Sequence, residues 1–422
     1  MAMPSTAIYM VAGQGTRLAP LTRHMPKPLL PICNKAPLVQ TMEQATSAGV
    51  NTHILKLVTN PGMFLWSLGS SVMGAEISYA LHKSGLVTAG GVKKIMMDYS
   101  LPKDYPVWVF SGDTFCPELS LGELVDSHEE AVLRNPQILG TVAFKLFPAE
   151  ACVNRFGVAV VDESGTVKRF AEKPRNLEQA MSIFGEIKNP YVHAESERVG
   201  EPLLPANASY YLLQGDFFDR LPKLGSLDKP GLDFGGDIFP VLRDQINAYF
   251  IGAPWLDVGT PRDFWKAQWY FQDVAMRFTG TIVKNWGVFG SDISIDGDKS
   301  DIKASVVGNG VYLRNVRADH AIIGWDCQLQ DVDLSYCVVM PGTSINMRRG
   351  CTTSGLITSI SNSIVGGKLM GGSFIDSYSI PSRTVLDRVI VVPPEKPSQY
   401  IDITTLPLTD EDIQEARSLI RR

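Results

Sequence analysis

Apolar and polar residues follow two different patterns along this chain, and the change comes near residue 280. Before it, short apolar runs alternate with longer stretches whose apolar positions have helical spacing. The apolar run 7–11 is followed by a helix-like stretch at 37–45 and by further apolar runs at 52–58 and 107–110. Runs that are apolar throughout are typical of parallel strands buried on both faces. The order strand, helix, strand predicts an α/β domain with a Rossmann-like, mixed but mainly parallel sheet and helices on both sides.

Beyond residue 280 the apolar residues form short pairs separated by glycine, serine and other small or polar residues. Four octets are alike, and in the last three, which start sixteen residues apart, an aliphatic residue recurs six positions on. The positions six apart are 307 and 313, 323 and 329, and 339 and 345. Hexads of this kind predict a β-helix, in which each flat face of a coil buries one aliphatic side chain. We expect the aliphatic residues at these positions to point inward.

The end of the chain follows neither pattern. Residues 391–397 are rich in proline and predict an extended linker. Thr409 precedes three acidic residues and is a good N-cap for a short amphipathic helix. The pattern therefore divides the chain into an α/β domain at 1–280, a β-helix at 281–390, and a linker with a C-terminal helix at 391–422.

Composition narrows the possible partners. The 422 residues include 39 Lys and Arg against 44 Asp and Glu, a net charge of −5 that argues against nucleic acid or an anionic membrane as the main partner. No apolar run is long enough to span a bilayer, and the N-terminus lacks the apolar core of a signal peptide. The six cysteines form no C-x-x-C pair, a pattern that favours free thiols in a reducing compartment. These observations predict a soluble, cytoplasmic protein.

A glycine-bearing loop follows the first predicted strand and is the most informative motif. Gly13 and Gly15 carry no side chain that would keep backbone N–H groups away from a phosphate. Arg17 and Lys27 follow, and a proline on each side of the lysine stiffens its segment. The loop is not a Walker loop, and Leu18 interrupts the dinucleotide fingerprint. Its composition predicts a site for several phosphates.

Residues 11–28 resemble the opening signature of sugar-1-phosphate nucleotidyltransferases, A-G-G-x-G-T-R-L-x-P-L-T-x-x-x-P-K-P. The chain departs from it at Val11 and Ala12, which stand where the family has alanine and glycine. The resemblance implies a nucleotidyltransferase catalytic domain at 1–280 and makes Arg17 and Lys27 catalytic cations on the triphosphate. It also implies a left-handed β-helix, as in many such enzymes. The nucleotide-binding residues it implies in this loop are Ala12, Gly13, Gly15 and Thr16.

Two aspartates follow apolar runs and match further motifs of the same family. Asp113 ends the run 107–112, and Asp257 lies in W-L-D-V-G-T-P. The family has G-D at the first place and W-x-D-[IV]-G-T-P at the second, where its aspartates hold the metal. Magnesium takes one or two carboxylates and keeps phosphate and water oxygens for its other positions. The resemblance therefore implies that Asp113 and Asp257 bind Mg²⁺.

Three further blocks complete the implied site. Residues 156–174 read as a β-hairpin that ends in E-K-P. The family's E-K-P segment assigns Glu172 to sugar hydroxyls and Lys173 to the sugar phosphate, as a third catalytic cation. Asn207 matches the sugar-binding N-[AT]-G-I-Y block, although Ser209 replaces its glycine. Thr88 and Gly90 match a nucleotide-side loop, L-G-T-A-G. The block 232–240 also fits the family, where a structural helix start and a sugar contact are equally good interpretations.

The resemblance implies magnesium-dependent transfer of a nucleotidyl group from an NTP to a sugar 1-phosphate, giving NDP-sugar and pyrophosphate. The blocks look most like mannose-1-phosphate guanylyltransferases, which use GTP; glucose-1-phosphate thymidylyl-, uridylyl- or adenylyltransferase is the alternative. A non-catalytic homologue that binds nucleotide-sugar is a second alternative, because Ala12, Val87 and Ser209 each replace a family glycine. An acyltransferase is a third, and its histidine base would have to be His320. The β-helix holds no residue assigned to chemistry, so we expect it to assemble a homo-oligomer.

Overall fold

The computed structural model describes residues 4–11, 13, 15–22, 25–58, 61–82, 87–223, 231–270, 282–284, 287–296, 300–346, 358–361, 363–366, 368–370, 385–387, 402–405, 409, 411–412 and 414. The chain divides into two compact units. The α/β unit comprises Met1–Gln14 and Pro37–Asp257, and the β-helix unit comprises Gly15–Ala36 and Val258–Arg422. The functional boundaries at residues 280 and 390 remain a prediction.

The α/β unit is built on a ten-stranded sheet, with a separate two-stranded sheet beside it. Its strands are β1 Thr6–Met10, β2 Thr52–Leu57, β3 Ser71–Val72, β4 Ala75–Leu81, β5 Val107–Ser111, β6 Thr114–Phe115, β7 Gly140–Pro148, β8 Val158–Val161, β9 Val167–Ala171, β10 Leu203–Leu213, β11 Ile246–Phe250 and β12 Leu256–Asp257. Its helices are α1 Pro37–Ser47, α2 Pro61–Leu68, α3 Thr88–Asp98, α4 Leu121–Arg134, α5 Ala149–Cys152, α6 Leu177–Glu186 and α7 Pro190–Val199.

The main sheet has the order β11-β7-β10-β5-β1-β2-β4-β3, with the hairpin β8–β9 attached to β10. Strand β1 is parallel to both β2 and β5, β2 is parallel to β4, and β11 is parallel to β7. Strand β10 runs antiparallel to β5 and β7. Ile8, Ile54 and Val109 in the middle of the sheet are fully buried. The predicted mixed, mainly parallel sheet is confirmed.

The β-helix unit begins its second part with helix α8, Pro261–Tyr270, and continues in short strands. These are β13 Ile282–Lys284, β14 Gly287–Phe289, β15 Ser294–Asp296, β16 Asp301–Lys303, β17 Val306–Val307, β18 Tyr312–Asp319, β19 Ile322–Ile323, β20 Gln328–Ser335, β21 Val338–Val339, β22 Ser344–Asn346, β23 Thr358–Ser361, β24 Ser363–Gly366, β25 Lys368–Met370, β26 Val385–Asp387 and β27 Asp402–Thr405.

Strands β17, β19 and β21 stack in parallel with a period of sixteen residues, so that Val306 pairs with Ile322 and Ile322 with Val338. At the two ends of this sheet, β13–β14 and β24–β27 pair antiparallel. The long strands β18 and β20 bend at Asn315 and Asp331, whose φ angles are 51° and 57°. Such stacking is consistent with a β-helix of flat faces joined by corners. The handedness of its coils remains a prediction.

The hexad positions line the core of the β-helix unit. Val307, Leu313, Ile323, Leu329 and Val339 are at most 1% exposed and belong to one apolar cluster. This confirms the inward direction that the six-residue spacing predicts at those five positions. The side chain at the sixth position, residue 345, lies outside what the structure describes.

Part of the predicted C-terminal helix is described, and its cap is confirmed. Residues 411, 412 and 414 are helical. The hydroxyl of Thr409 accepts a hydrogen bond of 3.2 Å from the Asp412 N–H, and the Asp412 carboxylate accepts one of 2.8 Å from the Thr409 N–H. This reciprocal pair satisfies two N–H groups at the start of the helix. The predicted linker 391–397 lies outside the described residues.

Cysteine and helix properties agree with the composition. Of the six cysteines, the five in the described part of the chain are unpaired and buried: Cys33, Cys116, Cys152, Cys327 and Cys337. Among the helices that the structure describes, none has both the length and the apolar character needed to cross a bilayer.

Candidate active site

The two predicted metal ligands lie on chain segments that meet beyond the carboxyl end of β5, a central strand of the α/β unit's main sheet. Asp113 follows β5, and the chain then forms β6, which pairs antiparallel with β12. In this pairing Asp257 is opposite Thr114, the residue next to Asp113. The Ser111 hydroxyl donates to the Asp113 carboxylate. The strand pair therefore brings the backbone of Asp257 next to that of Thr114, and both Asp113 and Asp257 are half-buried.

Nearby contacts hold the strand that carries Asp257. The indole Nε1 of Trp255 donates to the Ala208 carbonyl at 3.1 Å. The ammonium group of Lys145 donates to three successive carbonyls, of Ile251, Gly252 and Ala253, at 2.9–3.2 Å. Burial lowers the pKa of Lys145. The approach to Asp257 is thus fixed by backbone contacts, and Lys145 is a supporting residue that the motif search did not identify.

The donor set at Asp113 and Asp257 fits a hard divalent cation. Carboxylate oxygens suit such cations, which complete their coordination with water and substrate phosphate. Within the part of the chain that the structure describes, no group of three or more His, Cys, Asp or Glu side chains is placed to hold a metal. A pair of carboxylates with open positions therefore suits a metal that arrives with a phosphate ligand better than a structural metal held by protein alone.

The predicted hairpin is formed by β8 and β9. Asp162 turns the chain, because its carboxylate accepts from the N–H groups of Ser164 and Thr166, both at 2.9 Å. Gly165 has φ of +82°, which favours glycine. Strand β9 then ends at Ala171, so that Glu172 and Lys173 lie at its carboxyl end. The sequence predicts this placement correctly.

The Glu172 carboxylate is packed against two glycines. A Cβ at Gly157 would lie 2.6 Å from its Oε2, and one at Gly235 would lie 2.4 Å away. Glu172 forms an ion pair of 3.1 Å with Lys173, whose side chain is 55% exposed. Lys173 has φ of +48°, a strained conformation for this residue type. Such strain often occurs where a side chain is held for function.

Asn207 is hydrogen-bonded to Gly157, one of the two glycines beside Glu172. Its backbone N–H donates to the Gly157 carbonyl at 2.8 Å, and its side-chain amide donates to the Tyr211 hydroxyl at 3.0 Å. Burial raises the pKa of Tyr211 to about 12, so this phenol is neutral and hydrogen-bonding at ordinary pH. Ser209, which stands for the family's glycine, has φ of +61°. The backbone keeps the conformation that glycine favours, and the serine side chain is accommodated.

Thr88 is hydrogen-bonded to Asp233, a residue of the block 232–240 for which the sequence allowed two interpretations. Its hydroxyl donates to Asp233 at 2.7 Å and accepts from the Phe234 N–H at 3.0 Å. Asp233 also caps the following helical turn through the Gly236 N–H at 2.8 Å. Gly90 donates its N–H to the Leu232 carbonyl at 3.0 Å. The block 232–240 therefore starts a helical turn and also links the predicted nucleotide loop to Gly235 beside Glu172. A sugar contact by this block stays a prediction.

The predicted triphosphate cations lie in the β-helix unit, on Gly15–Ala36, which we call the cation segment. Gly15 has φ of +63°, and a Cβ there would lie 3.1 Å from the Lys27 Cβ. The Thr22 hydroxyl donates to the Gly15 carbonyl at 2.9 Å. Arg17 is exposed in a 3₁₀ turn, Thr16–Leu18, and Lys27 is half-buried at the start of another, Lys27–Leu29.

The remaining predicted residues of the glycine loop are less informative. Gly13 belongs to the α/β unit and is exposed, with open space around the position of a Cβ. Thr16 is exposed as well. Ala12, the position at which the chain departs from its expected glycine, lies outside the described residues.

His320, the base that an acyltransferase would need, is packed within the β-helix unit. Its side chain is 7% exposed, and its Nδ1 lies 2.7 Å from the Asp319 carboxylate. The ring stacks on Tyr336 at 5.1 Å and meets Trp269 edge-on at 5.5 Å. This environment suits a structural histidine and gives the acyltransferase alternative no support.

The chain is similar to several known proteins. A model of the nucleotidyl transferase family matches residues 6–273. The chain is 27% identical over 368 residues to probable mannose-1-phosphate guanylyltransferase 2 of Oryza sativa subsp. japonica, which covers 85% of each chain. It is also 27% identical over 278 residues to UTP–glucose-1-phosphate uridylyltransferase of Synechocystis, with 62% of each chain covered. A third relative is the mannose-1-phosphate guanylyltransferase catalytic subunit beta of Xenopus tropicalis, 27% identical over 278 residues, 64% of this chain and 66% of that one.

Proposed function

The chain belongs to the nucleotidyl transferase family, and from this premise we propose that it joins an NTP to a sugar 1-phosphate. An oxygen of the sugar phosphate attacks the α-phosphorus of the NTP and forms the new phosphorus–oxygen bond. The bond from the α-phosphorus to its bridging oxygen breaks, and pyrophosphate leaves. The attacking phosphate oxygen is already ionised, so the protein supplies no nucleophile and no general base. Its work is to position three anions and neutralise their charge.

One observation carries the proposal: the β6–β12 pairing that places Asp257 opposite the neighbour of Asp113. The two carboxylates would hold Mg²⁺, which when bound neutralises phosphate charge and orients phosphate oxygens. Zinc prefers nitrogen and sulfur ligands, which this pair does not supply. Magnesium therefore suits the site best.

The other side chains divide between the two substrates. We assign Arg17 and Lys27 to the triphosphate and Lys173 to the sugar phosphate. Glu172 and Asn207 would accept and donate hydrogen bonds to sugar hydroxyls, which have both capacities. The carboxylate of Glu172 fits against Gly157 and Gly235 because neither residue has a side chain. Thr88 and Gly90 would contribute to the nucleotide side together with Gly13, Gly15 and Thr16.

Among substrates we favour GTP and mannose 1-phosphate. Two of the three relatives described above are named for this pair, and one of them aligns over 85% of the chain. Glucose 1-phosphate with UTP is the main alternative, since the cyanobacterial relative is named for it. Buried free thiols favour a cytoplasmic location. We further propose that the protein forms a homo-oligomer.

A substrate panel tests the proposal. The full-length protein would be incubated with each of four NTPs and with mannose or glucose 1-phosphate, with and without Mg²⁺, while pyrophosphate release is followed. We expect the highest kcat/KM for GTP with mannose 1-phosphate. Release that depends on an NTP and not on any sugar phosphate would contradict the proposed reaction. Tight binding of nucleotide-sugar without turnover would favour the non-catalytic alternative.

A further inference from the structure

The cation segment ends in a tight turn with a strained residue. Ile32 and Lys35 exchange backbone hydrogen bonds of 2.9 and 3.1 Å, and the two residues between them have positive φ. Cys33 has φ of 47° and Asn34 has φ of 66°. Asparagine tolerates this conformation, whereas cysteine adopts it rarely. A strained residue persists only where surrounding contacts hold it, so the contacts of this turn are informative.

One side chain of α8 holds the turn from one side. The Gln268 carbonyl oxygen accepts from the Cys33 N–H at 2.7 Å, and its amide donates to the Pro31 carbonyl at 3.1 Å. The Cys33 thiol donates in turn to the Gln268 backbone carbonyl at 3.1 Å. Gln268 is fully buried. The side-chain amide of Gln268 therefore both donates to and accepts from the backbone of the turn, and these two bonds together fix the position of that backbone.

A second side chain holds the turn from the β-helix. The Asn34 amide donates to the carbonyl of Val307 at 2.9 Å. Val307 lies in β17, and its own side chain is buried in the core of the coil. The turn is thereby joined to a rigid strand as well as to α8.

The turn is connected to Lys27 by a stiff stretch of chain. Pro26, Pro28 and Pro31 have restricted φ, and Lys27–Leu29 forms a 3₁₀ turn. Leu29 and Leu30 are buried. A change in the position of the turn is therefore transmitted along the stretch to Lys27 and is not absorbed between them.

Apolar packing alone does not fix this segment. A cavity of about 110 Å³ lies between it and an outward-facing row of aliphatic residues on the β-helix. The row consists of Val306, Ile322 and Val338, and the segment contributes Leu21, Met25 and Leu30 to the lining. Apolar contacts are non-directional, and a gap of this size weakens them further. The hydrogen bonds of the Asn34 and Gln268 side chains are directional contacts that join the turn to the β-helix and to α8.

We propose that Asn34 and Gln268 are positioning residues for the transfer reaction, because through them α8 and the β-helix set the reach of Lys27 toward the triphosphate. The inference rests on the proposed function. It gives the β-helix a part in catalysis, where the sequence alone led us to expect subunit assembly.

A matched pair of variants tests it. Asn34→Gly and Asn315→Gly each replace an asparagine of positive φ by the residue that best tolerates it. Each also removes one amide hydrogen bond within the β-helix unit, to Val307 at 2.9 Å or to Asp331 at 3.0 Å. We expect Asn34→Gly to lower kcat about tenfold and to raise KM for NTP, while KM for sugar phosphate stays unchanged. Asn315→Gly should retain wild-type kinetics.

Asn34→Asp provides a second variant that keeps the size of the side chain and removes its donor. Hydrogen exchange provides a readout independent of turnover: amides of residues 27–35 should exchange faster in Asn34→Gly than in Asn315→Gly. Equal kinetics in Asn34→Gly and wild type, or equal losses in the two glycine variants, would overturn the inference. A wild-type protein without turnover would instead count against the proposed function. The hydrogen-exchange comparison would still test whether the Asn34 hydrogen bond holds the turn in place.

Discussion

The two units hold their predicted functional side chains by different means. In the α/β unit Asp113, Glu172 and Asn207 lie on or directly after strands, and pairing with neighbouring strands fixes them. In the β-helix unit Arg17 and Lys27 lie on a segment of short 3₁₀ turns held by side-chain hydrogen bonds at its end. Sites on sheets are positioned more accurately than sites on loops. We infer that the predicted acidic and sugar-binding groups of the α/β unit are preorganised. The positions of Arg17 and Lys27 depend instead on hydrogen bonds at the far end of the cation segment.

The largest effect is expected at the strand-borne carboxylates. Asp113→Asn or Asp257→Asn removes one negative ligand from a metal and should lower metal-dependent kcat about a thousandfold, or ~4 kcal/mol of transition-state stabilisation. Unfolding by urea should remain close to wild type. Asp98→Asn, on the exposed surface of α3, serves as a control and should be fully active. Turnover by Asp113→Asn near the wild-type rate at ordinary Mg²⁺ would show that the metal assignment is wrong.

A smaller but more diagnostic effect separates the cations of the two units. Lys27→Ala should lower kcat about a hundredfold, because we assign its charge to the phosphates between which charge moves. Lys173→Ala should mainly raise KM for sugar phosphate, because we assign its charge to the binding of that substrate. Steady-state kinetics with each substrate varied in turn measures both. Equal effects of the two variants on both KM values would refute this division.

The packing of Glu172 provides a test of preorganisation in the α/β unit. In Gly235→Ala the new methyl group would lie 2.4 Å from the Glu172 carboxylate and must displace it. We expect KM for sugar phosphate to rise about tenfold, while KM for NTP stays unchanged. Gly236→Ala is the matched control, because its methyl group would lie at an ordinary 3.6 Å from Asp233. Identical kinetics in the two variants would mean that the position of Glu172 is not critical.

The smallest effect on activity is expected at the C-terminal cap, which acts on the stability of the β-helix unit. Burial alone would raise the pKa of Asp412, but hydrogen bonds from Arg262 and Thr409 hold it at about 2. Its side chain is 1% exposed and pairs with Arg262 at 2.7 Å and Lys266 at 3.3 Å. A depressed pKa stabilises the folded state above the unfolded pKa, near 4, and this contribution disappears as the pH falls through 2.

Asp412→Asn should therefore lower the free energy of unfolding by about 2 kcal/mol at pH 7, and by progressively less between pH 4 and pH 2. Urea titrations at several pH values would measure the difference. Glu411→Gln, at the exposed neighbouring position, should leave stability unchanged at every pH. A pH-independent difference between Asp412→Asn and wild type would argue for a packing role of this side chain.

Local patterns predicted much of this molecule. The six-residue spacing identified the buried positions of the β-helix because each coil repeats the same face. The place of Asp113 after β5 was predicted, because it follows a run of apolar residues that is typical of a buried strand; its role as a metal ligand stays a prediction. In both cases the signal and its consequence lie within a few residues of each other.

Long-range pairings were less accessible from one sequence. Nothing in the sequence states that Thr114 pairs with Asp257, since 143 residues separate them and register depends on the assembled fold. The sequence does contain one signal for the grouping of the cation segment with the β-helix. Aliphatic residues precede the inward hexad positions at 306, 322 and 338, and an aliphatic row on the outside of a coil indicates a covered face.

The hydrogen bonds between Cys33 and Gln268 have a practical consequence. The Cys33 thiol is buried and donates to the Gln268 backbone, and burial raises its pKa well above the usual range. A protonated, inaccessible thiol is unreactive toward alkylating reagents. Labelling of Cys33 thus requires the turn to separate from Gln268. The labelling rate, followed by mass spectrometry, would give the population of molecules in which the turn has separated. The chain thus carries its own reporter of how firmly the end of the cation segment is held, without any introduced probe.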